Sequence, residues 1–403
     1  MPRTLPLLLL AACAAPPADA PTEPSRDRHA YVWSMAMDST GRDMLLVLDV
    51  DSASTSFGQV VGELALDTAG GMPHHIERRV GDDSLVFANG WIANRSWIFD
   101  VGIATRPVVR ATFQSAGGAM AWAHDFTRLP NGNVLVAFNG GPGAYVGPGG
   151  VAEVDRDGAV IQSAMATMPG LGDTAATPYV VATVPGRPRA VVGLGEMGMG
   201  PDYPFHDTST LQLWATDSLR PIALIPLPAN GTDRGHIAPS SLGTTASGTM
   251  FGNTFYCALY RVDGLDGDAP TAVRVHTFPG GTDETLCGVG TIVGDYWIQA
   301  VAALPGLVVV DTRDPANVRE VARLELDPTA HLGVHWVSVD RSGTRLAITG
   351  DGGPWLVMAR FDPATGAVAV DPQFGAADSS MVGMRMRTMA GVVVHPHGVA
   401  WGP

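Results

Sequence analysis

A strand–turn–strand unit that recurs along the chain constrains the fold more than any other feature. In each copy an apolar strand, often ending in a Val-Asp-like pair, is followed by a polar turn and a second strand. The copies lie at residues 44–66, 97–113, 150–166, 211–227, 255–278, 307–326 and 356–374. Their period of about 54 residues suits propeller blades with insertions, and helical periodicity is almost absent.

The two ends of the chain complement each other. The first copy has no obvious inner strand of its own before Ala30, whereas the run GVVVHPHGVAW at 391–401 has no outer strands. Pairing of the two ends would complete one blade and remove the free edges of the ring. The sequence therefore predicts an all-β, seven-bladed β-propeller closed by its N- and C-terminal strands. A pair of β-sandwiches would explain neither the single period nor the matching ends.

Glycine and proline, with 49 and 31 residues among 403, support the same fold. Both are unfavourable inside helices and common in the turns that join short strands. Hydrophobic residues make up 46% of the chain, which is enough for a large core. We expect residues 29–403 to form one domain, although the length alone would suggest two or three.

The charged residues exclude several functions. The formal net charge is −14, and the sequence contains no lysine. Schiff-base, pyridoxal-phosphate and P-loop chemistry all need a lysine amine. An acidic chain without a basic stripe repels phosphate groups, so we expect no nucleic-acid partner.

Residues 1–13 (MPRTLPLLLLAAC) have the order of a signal peptide, with one arginine, an apolar run and then small residues. The last four resemble the lipobox of bacterial lipoproteins, in which the cysteine, here Cys13, becomes lipidated. The alternative is an uncleaved apolar N-terminus. Residues 14–28 are rich in proline and alanine, as in a flexible linker. We expect an exported, periplasmic or cell-surface monomer that contacts a membrane only through this lipid.

Two further cysteines remain. Cys257 and Cys287 could pair in an oxidising compartment or stay as buried free thiols, and the sequence leaves both open. Their spacing is not that of a zinc site.

Histidines recur where a blade begins. Seven of them follow the end of one outer strand and precede the next inner strand: His74, His75, His124, His236, His335, His395 and His397. In a propeller this position faces the central channel, so these side chains should converge near one mouth of the axis. Neutral imidazoles form a ligand set suited to copper, zinc or iron. The pattern therefore predicts a metal centre at that mouth.

Three carboxylates and the other histidines also bear on the predicted metal centre. Three carboxylates, Glu77, Asp125 and Glu196, could orient the ring N–H groups of the histidines. For any single histidine, a bond to a backbone carbonyl is the simpler interpretation, and only the register of the group favours a metal. The remaining four, His29, His206, His276 and His331, fall in outer turns or connections, and we expect them to be solvated.

On these residues the sequence resembles the selenium-binding protein and methanethiol oxidase family. His74-His75 after LAL matches the family's paired histidines, and residues 85–113 are similar to its Ser-Arg-Ile-Tyr-Val-Val-Asp-Val region. Residues 123–136 are similar to its His-Thr-x-His-Cys-Leu-Pro-x-Gly segment, and GEMG at 195–198 to its Glu-Trp pair. Residues 334–350 and 361–375 are similar to its late Asp-Gly-Lys-Arg-Leu region. The likeness keeps its order over most of residues 30–400.

Methanethiol oxidases of this family depend on copper and convert methanethiol, O2 and water to formaldehyde, hydrogen sulfide and hydrogen peroxide. The resemblance implies that the metal ligands include His74, His75, His124 and one of His395 and His397. It matches Glu196 to the family's glutamate. In such an enzyme Asp125 or Glu196 would accept a proton from the substrate carbon or from water.

The sequence also departs from the family. Thr127 stands where the family's segment has its second histidine, and residues 76–84 lack its cysteine pair. His236, His335 and the second C-terminal histidine would then replace the lost ligands in a rearranged site. One alternative is an exported metal- or ligand-binding propeller without turnover. A calcium-dependent propeller lactonase would need oxygen ligands in place of imidazoles, and the histidines count against it.

Overall fold

The computed structural model describes residues 27–143, 147–195, 208–375 and 382–403. The predicted signal peptide with Cys13, most of the predicted linker, Glu196 and His206 lie outside these residues. The helical structure of the described part is a single 3-10 turn, Asp173–Ala175. No helix among the described residues is long and apolar enough to cross a bilayer.

The described residues form seven antiparallel sheets, one per blade. Blades 1 to 3 contain β1 (His29–Ala36), β2 (Arg42–Asp49), β3 (Val60–Ala69), β4 (Pro73–Ile76), β5 (Leu85–Gly90), β6 (Arg95–Asp100), β7 (Val108–Phe113), β8 (Ser115–Ala116), β9 (Met120–Arg128), β10 (Val134–Gly140), β11 (Gly150–Val154) and β12 (Val160–Met165). Blades 4 and 5 contain β13 (Pro178–Thr183), β14 (Arg189–Leu194), β15 (Thr210–Ala215), β16 (Arg220–Pro226), β17 (Pro239–Thr244), β18 (Met250–Thr254), β19 (Ala258–Asp263) and β20 (Thr271–Thr277). Blades 6 and 7 contain β21 (Cys287–Val293), β22 (Tyr296–Val301), β23 (Gly306–Asp311), β24 (Arg319–Glu325), β25 (Val334–Val339), β26 (Arg345–Gly350), β27 (Trp355–Phe361), β28 (Val368–Val370) and β29 (Met384–Arg385), and the last strand is β30 (Val394–Gly402).

Most blades are simple meanders, in which the first strand lines the channel and the last faces solvent, as in the order β13-β14-β15-β16. Blade 1 has the order β3-β2-β1-β30, so its innermost strand comes from the C-terminus. Val32 of β1 lies opposite Val399 of β30 in this pairing. The predicted seven-bladed propeller, closed by its two terminal strands, is confirmed.

Burial explains why the apolar strands are uniform and the outer strands alternate. Strand β5 is buried at all six positions because neighbouring blades cover both of its faces. Strand β24 alternates between exposed and covered residues, since only one of its faces packs on the next blade. Large aromatic side chains fill the spaces between blades, as where Trp33 packs on Trp97 with ring centroids 5.5 Å apart.

In four blades, a polar side chain at the end of the second strand joins the blade to the next one. Its amide or hydroxyl group donates to a backbone carbonyl on the innermost strand of the following blade. The donor and acceptor residues are Asn89 with Ala123, Asn139 with Pro178, Asn253 with Gly288 and Thr349 with His397. These bonds fix the inner strands where they begin, at the mouth of the channel.

A disulfide and the contacts of two N-terminal residues provide further links within the ring. Cys257 and Cys287, left open by the sequence, form a disulfide that joins blade 5 to blade 6. Two described residues before the predicted domain boundary at residue 29 also contact the ring. Asp27 is buried and accepts a hydrogen bond from the Arg341 backbone N–H, and the Arg28 N–H donates to the Gly402 carbonyl at 2.9 Å.

Ring closure predicts a large stability cost for Trp401→Ala. Trp401 is fully buried on β30, and its Nε1–H donates to Ser338 Oγ of blade 7 at 3.0 Å. Removal of the indole should lower the free energy of unfolding by about 3–5 kcal/mol, measured by urea denaturation. As a control, Met389→Ala at a 63% exposed position should change it by less than about 0.5 kcal/mol. A loss below about 1 kcal/mol for Trp401→Ala would contradict this role.

Candidate metal centre

Five histidines from four blades meet at one end of the channel. They are His74, His75, His124, His335 and His397. Ring centroids lie 4.5 Å apart for His74 and His75, 4.1 Å for His75 and His124, and 4.3 Å for His74 and His397. The ring centroid of His335 lies 4.9 Å from that of His397. All but His335 are at most 5% exposed, so most of the cluster is sealed from solvent.

The ligand atoms fall into two adjoining groups. One contains His74, His75 and His124, and the other contains His335, Asp351 and His397, with ligand atoms in each group within 4.8 Å of one another. The groups meet where His74 Nδ1 lies 2.9 Å from His397 Nε2. Asp351 is on the turn after β26, and sequence reasoning did not single it out. It reaches His397 Nε2 at 3.1 Å and His335 Nδ1 at 3.3 Å.

Irregular backbone allows two consecutive histidines to share this site. In a regular strand His74 and His75 would point to opposite faces. The register of β4 against β5 shifts between Pro73 and Ile76, and the His75 N–H donates to Asn89 Oδ1 at 2.7 Å. Met72 before β4 and Trp122 in β9 have left-handed backbone, with φ of 56° and 63°. Each lies two residues before a clustered histidine, and such strain is found preferentially at functional sites.

Glycine is required where β21 passes His335. A Cβ built on Gly288 would lie 2.2 Å from the His335 carbonyl oxygen. Any larger residue would push β21 and β25 apart and move the imidazole that β25 carries.

The hydrogen bonds set the tautomer of one imidazole. His124 Nδ1 lies 2.7 Å from the Tyr179 carbonyl, which can only accept, so this nitrogen carries the proton. The lone pair of His124 therefore lies on Nε2, 3.0 Å from His74 Nε2. This is the arrangement that protein metal sites commonly use to orient a histidine ligand.

Several buried ring nitrogens have no hydrogen-bond partner among the described residues. They are both nitrogens of His75, Nε2 of His335 and Nδ1 of His397. The Asp125 carboxylate approaches His75 Nδ1 only to 3.6 Å. An unpaired buried polar group costs about 1–3 kcal/mol, so these nitrogens together favour a bound cation. The residues present therefore fit a metal that accepts imidazole ligands.

Electrostatics keep the imidazoles in their ligand form. Burial, together with the neighbouring histidines, lowers the pKa of His74, His75 and His124 well below the usual value. Burial lowers the pKa of His335 to about 4. Burial disfavours ionisation of Asp351, but His335 and His397 outweigh it and hold its pKa well below the usual range. At neutral pH the site thus offers neutral imidazoles from His74, His75, His124 and His335, beside the ionised Asp351 carboxylate.

Two predicted ligands lie apart from the cluster. The His395 ring lies on β30 with Nε2 3.1 Å from the Gly350 carbonyl. His236 is half-buried between β16 and β17 and makes no ring contact with the cluster histidines. Among the carboxylates, Glu77 pairs with Arg128 Nε at 2.8 Å instead of a histidine. Glu196, as noted, lies outside the described residues.

The expectation that the remaining histidines are solvated is wrong for His331. This ring is fully buried, packs on Trp355 with centroids 5.1 Å apart, and contacts the Val382 carbonyl through Nε2 at 2.8 Å. His29 begins β1, and its Nδ1 lies 2.6 Å from the Pro403 carbonyl. His276 is half-buried against Phe278 on β20.

Tyr179 was missed although the sequence contains a signal for it. The residue after a proline near the start of an inner strand is buried in four blades: His74, Tyr179, Ser240 and His397. The Tyr179 ring lies 3.6 Å from that of His124, and its hydroxyl is buried without a partner among the described residues. Burial raises its pKa well above the usual value, so the hydroxyl stays protonated.

A cleft of about 300 Å³ leads from the surface to the cluster. His335 and Asp351 form one side, and Tyr179, Phe255 and Leu286 contribute to the rest, with Cys287 of the disulfide. Asp351 is 53% exposed, so the carboxylate lies at the opening. A small, partly apolar molecule can reach the cluster through this cleft.

Comparisons with known proteins support the fold. No family model and no curated protein matches this chain. It is similar to the solved structure of a hypothetical selenium-binding protein from Sulfolobus tokodaii, with TM-score 0.74 and 14% identity over 94% of both chains. It is also similar to a periplasmic gluconolactonase of Pseudomonas aeruginosa, with TM-score 0.65 and 14% identity over 94% of this chain and 99% of that one. A putative 6-phosphogluconolactonase from Bacteroides uniformis has TM-score 0.59 and 12% identity, with coverage of 93% and 99%. At these identities the likeness shows a shared propeller fold alone.

The buried histidines predict that the metal-free protein loses stability in mild acid. The folded pKa of His335, about 4, lies below its ordinary value of 6.5, so between these pH values the unfolded chain binds more protons. This contribution to stability is fully present above pH 6.5 and is lost as the pH falls towards 4, by at most about 1.4 kcal/mol per pH unit. His74, His75 and His124 act in the same direction.

Urea denaturation of the metal-free protein at pH 7, 6 and 5 measures this slope. We expect His335→Asn to flatten it, while His236→Asn, outside the cluster, keeps the slope of the unmodified protein. Identical slopes for the two variants would contradict the buried, neutral state of His335.

Proposed function

We propose that this protein is an exported, copper-dependent oxidase of a small thiol such as methanethiol. The reaction would be methanethiol with O2 and water to formaldehyde, hydrogen sulfide and hydrogen peroxide, which balances in atoms and electrons. The observation that carries the proposal is the cluster of five imidazoles with unpaired buried nitrogens. The resemblance of the sequence to the methanethiol oxidase family supports it.

The two ligand groups define which residues would hold the metal. His74, His75 and His124 offer an all-imidazole set, and His335 and His397 add two further imidazoles beside the Asp351 carboxylate. Such donors suit copper, and zinc and iron are the alternatives. Bound copper would supply one-electron transfer between the thiol sulfur and O2.

The chain itself would bind and orient the thiol. Phe255 and Leu286 in the cleft offer apolar contacts to a methyl group, and His335 and Asp351 line the same cleft. The buried Tyr179 hydroxyl keeps its proton and can donate a hydrogen bond to a sulfur or oxygen atom in the cleft.

A carboxylate would accept the proton released from the substrate carbon or water, and Asp125, which lies outside the lining of the cleft, would act from the other side of His75. Burial raises the pKa of Asp125, which makes its carboxylate a better base than an exposed aspartate. Asp125 lies beside His75, and its Oδ2 accepts a hydrogen bond from the Val181 N–H at 3.0 Å. Glu196 is the second candidate for this role on the resemblance alone.

Export is part of the proposal. The disulfide between Cys257 and Cys287 is a bond that persists in oxidising compartments. Together with the signal-like residues 1–13, it supports a periplasmic or cell-surface location with Cys13 as the site of lipidation. We propose that the chain acts as a monomer.

A second candidate function is metal or ligand binding without turnover. Four of the five histidines are at most 5% exposed, and a site so closed suits a metal held for storage or structure. A lactonase activity, suggested by the name of the Pseudomonas aeruginosa neighbour, lacks such support. A calcium-dependent lactonase would need an oxygen cage, whereas Asp351 is the one carboxylate in the two ligand groups found among the described residues.

Two histidines on one strand provide a matched test of the metal site. His397 belongs to the cluster, whereas His395, two residues earlier on β30, does not. We expect the copper-loaded, desalted protein to retain copper by elemental analysis. His397→Ala should weaken copper binding about 10- to 100-fold, and His395→Ala less than about 3-fold. Equal losses in both variants, or less than a tenth of an equivalent of copper in the unmodified protein, would contradict the assignment.

Oxygen consumption tests turnover separately from binding. With methanethiol, the copper-loaded protein should take up O2 and release sulfide and peroxide in equal amounts. Tyr179→Phe should reduce the rate about 10-fold or more if its hydroxyl contacts the reacting molecule, while copper content stays unchanged. Full copper occupancy without O2 uptake would favour the binding protein over the oxidase.

A further inference from the structure

The channel contains a second cavity on the far side of the histidine cluster. Its volume is about 380 Å³, and it is lined by the later residues of the inner strands. Much of its wall is apolar and is formed by Ile76, Phe126, Val180, Leu242, Ile292 and Val339. We call it the lower cavity. It shares no lining residue with the cleft that leads to His335.

Arg78 is the half-buried cation of the lower cavity. Its Nη1 donates to the Val337 carbonyl at 2.9 Å, and its guanidinium lies over the Trp336 ring, 5.1 Å from the centroid. No carboxylate oxygen of the described residues lies within 4.0 Å of its nitrogens. Of the five N–H donors of an arginine, only one is therefore used. Burial lowers its pKa to about 10, so the side chain is charged at neutral pH.

The other charged residues in the wall form no ion pair with this cation, although Asp125 attracts it from a longer distance. Glu77 is paired with Arg128, whose Nε and Nη2 reach both of its oxygens at 2.8 and 3.1 Å. Asp125 accepts from the Val181 N–H and faces His75 with its other oxygen. With Arg79 also in the wall, three arginines stand against two carboxylates, in a protein whose net charge is −14. Among the residues that line the lower cavity, the arginines therefore outnumber the carboxylates by one.

Two hydroxyl groups on neighbouring inner strands add neutral donors. Thr244 of β17 has a buried Oγ1 without a hydrogen-bond partner among the described residues. Thr291 of β21 is 7% exposed and lines the same cavity. A guanidinium fork and hydroxyl donors that line one largely apolar cavity offer the chemistry that recognises an oxyanion.

We infer that the lower cavity binds a small oxyanion, of the carboxylate or sulfate type, through Arg78 with help from Thr244 and Thr291. A planar guanidinium pairs with two oxygens of such an anion, and the apolar wall strengthens the attraction by excluding water. The Trp336 ring contacts both this position and the metal centre, with its centroid 5.1 Å from the Arg78 guanidinium and 5.1 Å from the His75 ring centroid. The inference is independent of copper and of thiol oxidation.

Titration of the metal-free protein with sodium sulfate at constant ionic strength tests the inference in solution. Calorimetry should show saturable binding of one sulfate per chain. Arg78→Gln should weaken it at least 10-fold, and Arg78→Lys, which keeps the charge but not the fork, by several-fold. Arg106→Gln, at an exposed arginine on the surface, is the control and should leave it unchanged.

Crystals soaked in sodium selenate locate the anion directly. An anomalous peak beside the Arg78 guanidinium, absent in Arg78→Gln, is the expected result. If Arg78→Gln does not fold by circular dichroism, Thr291→Val keeps the arginine and should still weaken sulfate binding several-fold. Binding that does not saturate, that is equally strong in Arg78→Gln, or that places selenate elsewhere would overturn the inference.

Discussion

The antiparallel pairing of β30 with β1 is the interaction on which the other features of this molecule depend. It places Val399 against Val32 and turns an open row of sheets into a closed ring. The same strand carries His397 into the channel, within 2.9 Å of His74 from the next blade. The pairing that closes the fold therefore also completes the histidine cluster. Neither terminal segment can supply the cluster alone. The Thr349 hydroxyl, bonded to the His397 carbonyl, ties the same strand to blade 7.

The channel has opposite chemistry at its two ends. At one end, buried imidazoles with unpaired nitrogens form the candidate metal centre, and Asp351 adds a negative charge at the opening. In the lower cavity, Arg78 supplies a positive charge without an ion pair among the described residues, in a largely apolar wall. Trp336 lies between the two, in contact with both His75 and Arg78. A ring of blades permits this arrangement because each inner strand contributes its first residues to one end and its last residues to the other.

The sequence was sufficient for the fold because a repeated strand pair is a local signal that each blade carries independently. The histidine register was equally readable, since His74, His124, His335 and His397 occupy equivalent places at the start of inner strands. Three features were beyond this reasoning. The side of β30 on which His395 lies depends on a register shift against β1, and the burial of His331 depends on Trp355 from another strand. Asp351 reaches the site from the turn after β26, and the repeated sequence pattern contains no signal for that position. The proline before Tyr179, in contrast, could have indicated that residue.

Electron paramagnetic resonance of the copper(II)-loaded protein tests the central claim most directly. If the buried imidazoles hold the ion, the spectrum should show hyperfine splitting from at least three nitrogens, as the group His74, His75 and His124 requires. The nitrogen hyperfine splitting should change in His124→Ala and should be the same in His236→Ala as in the unmodified protein. A spectrum with oxygen ligands only, or no copper signal after desalting, would contradict the assignment of the histidine cluster as a metal centre.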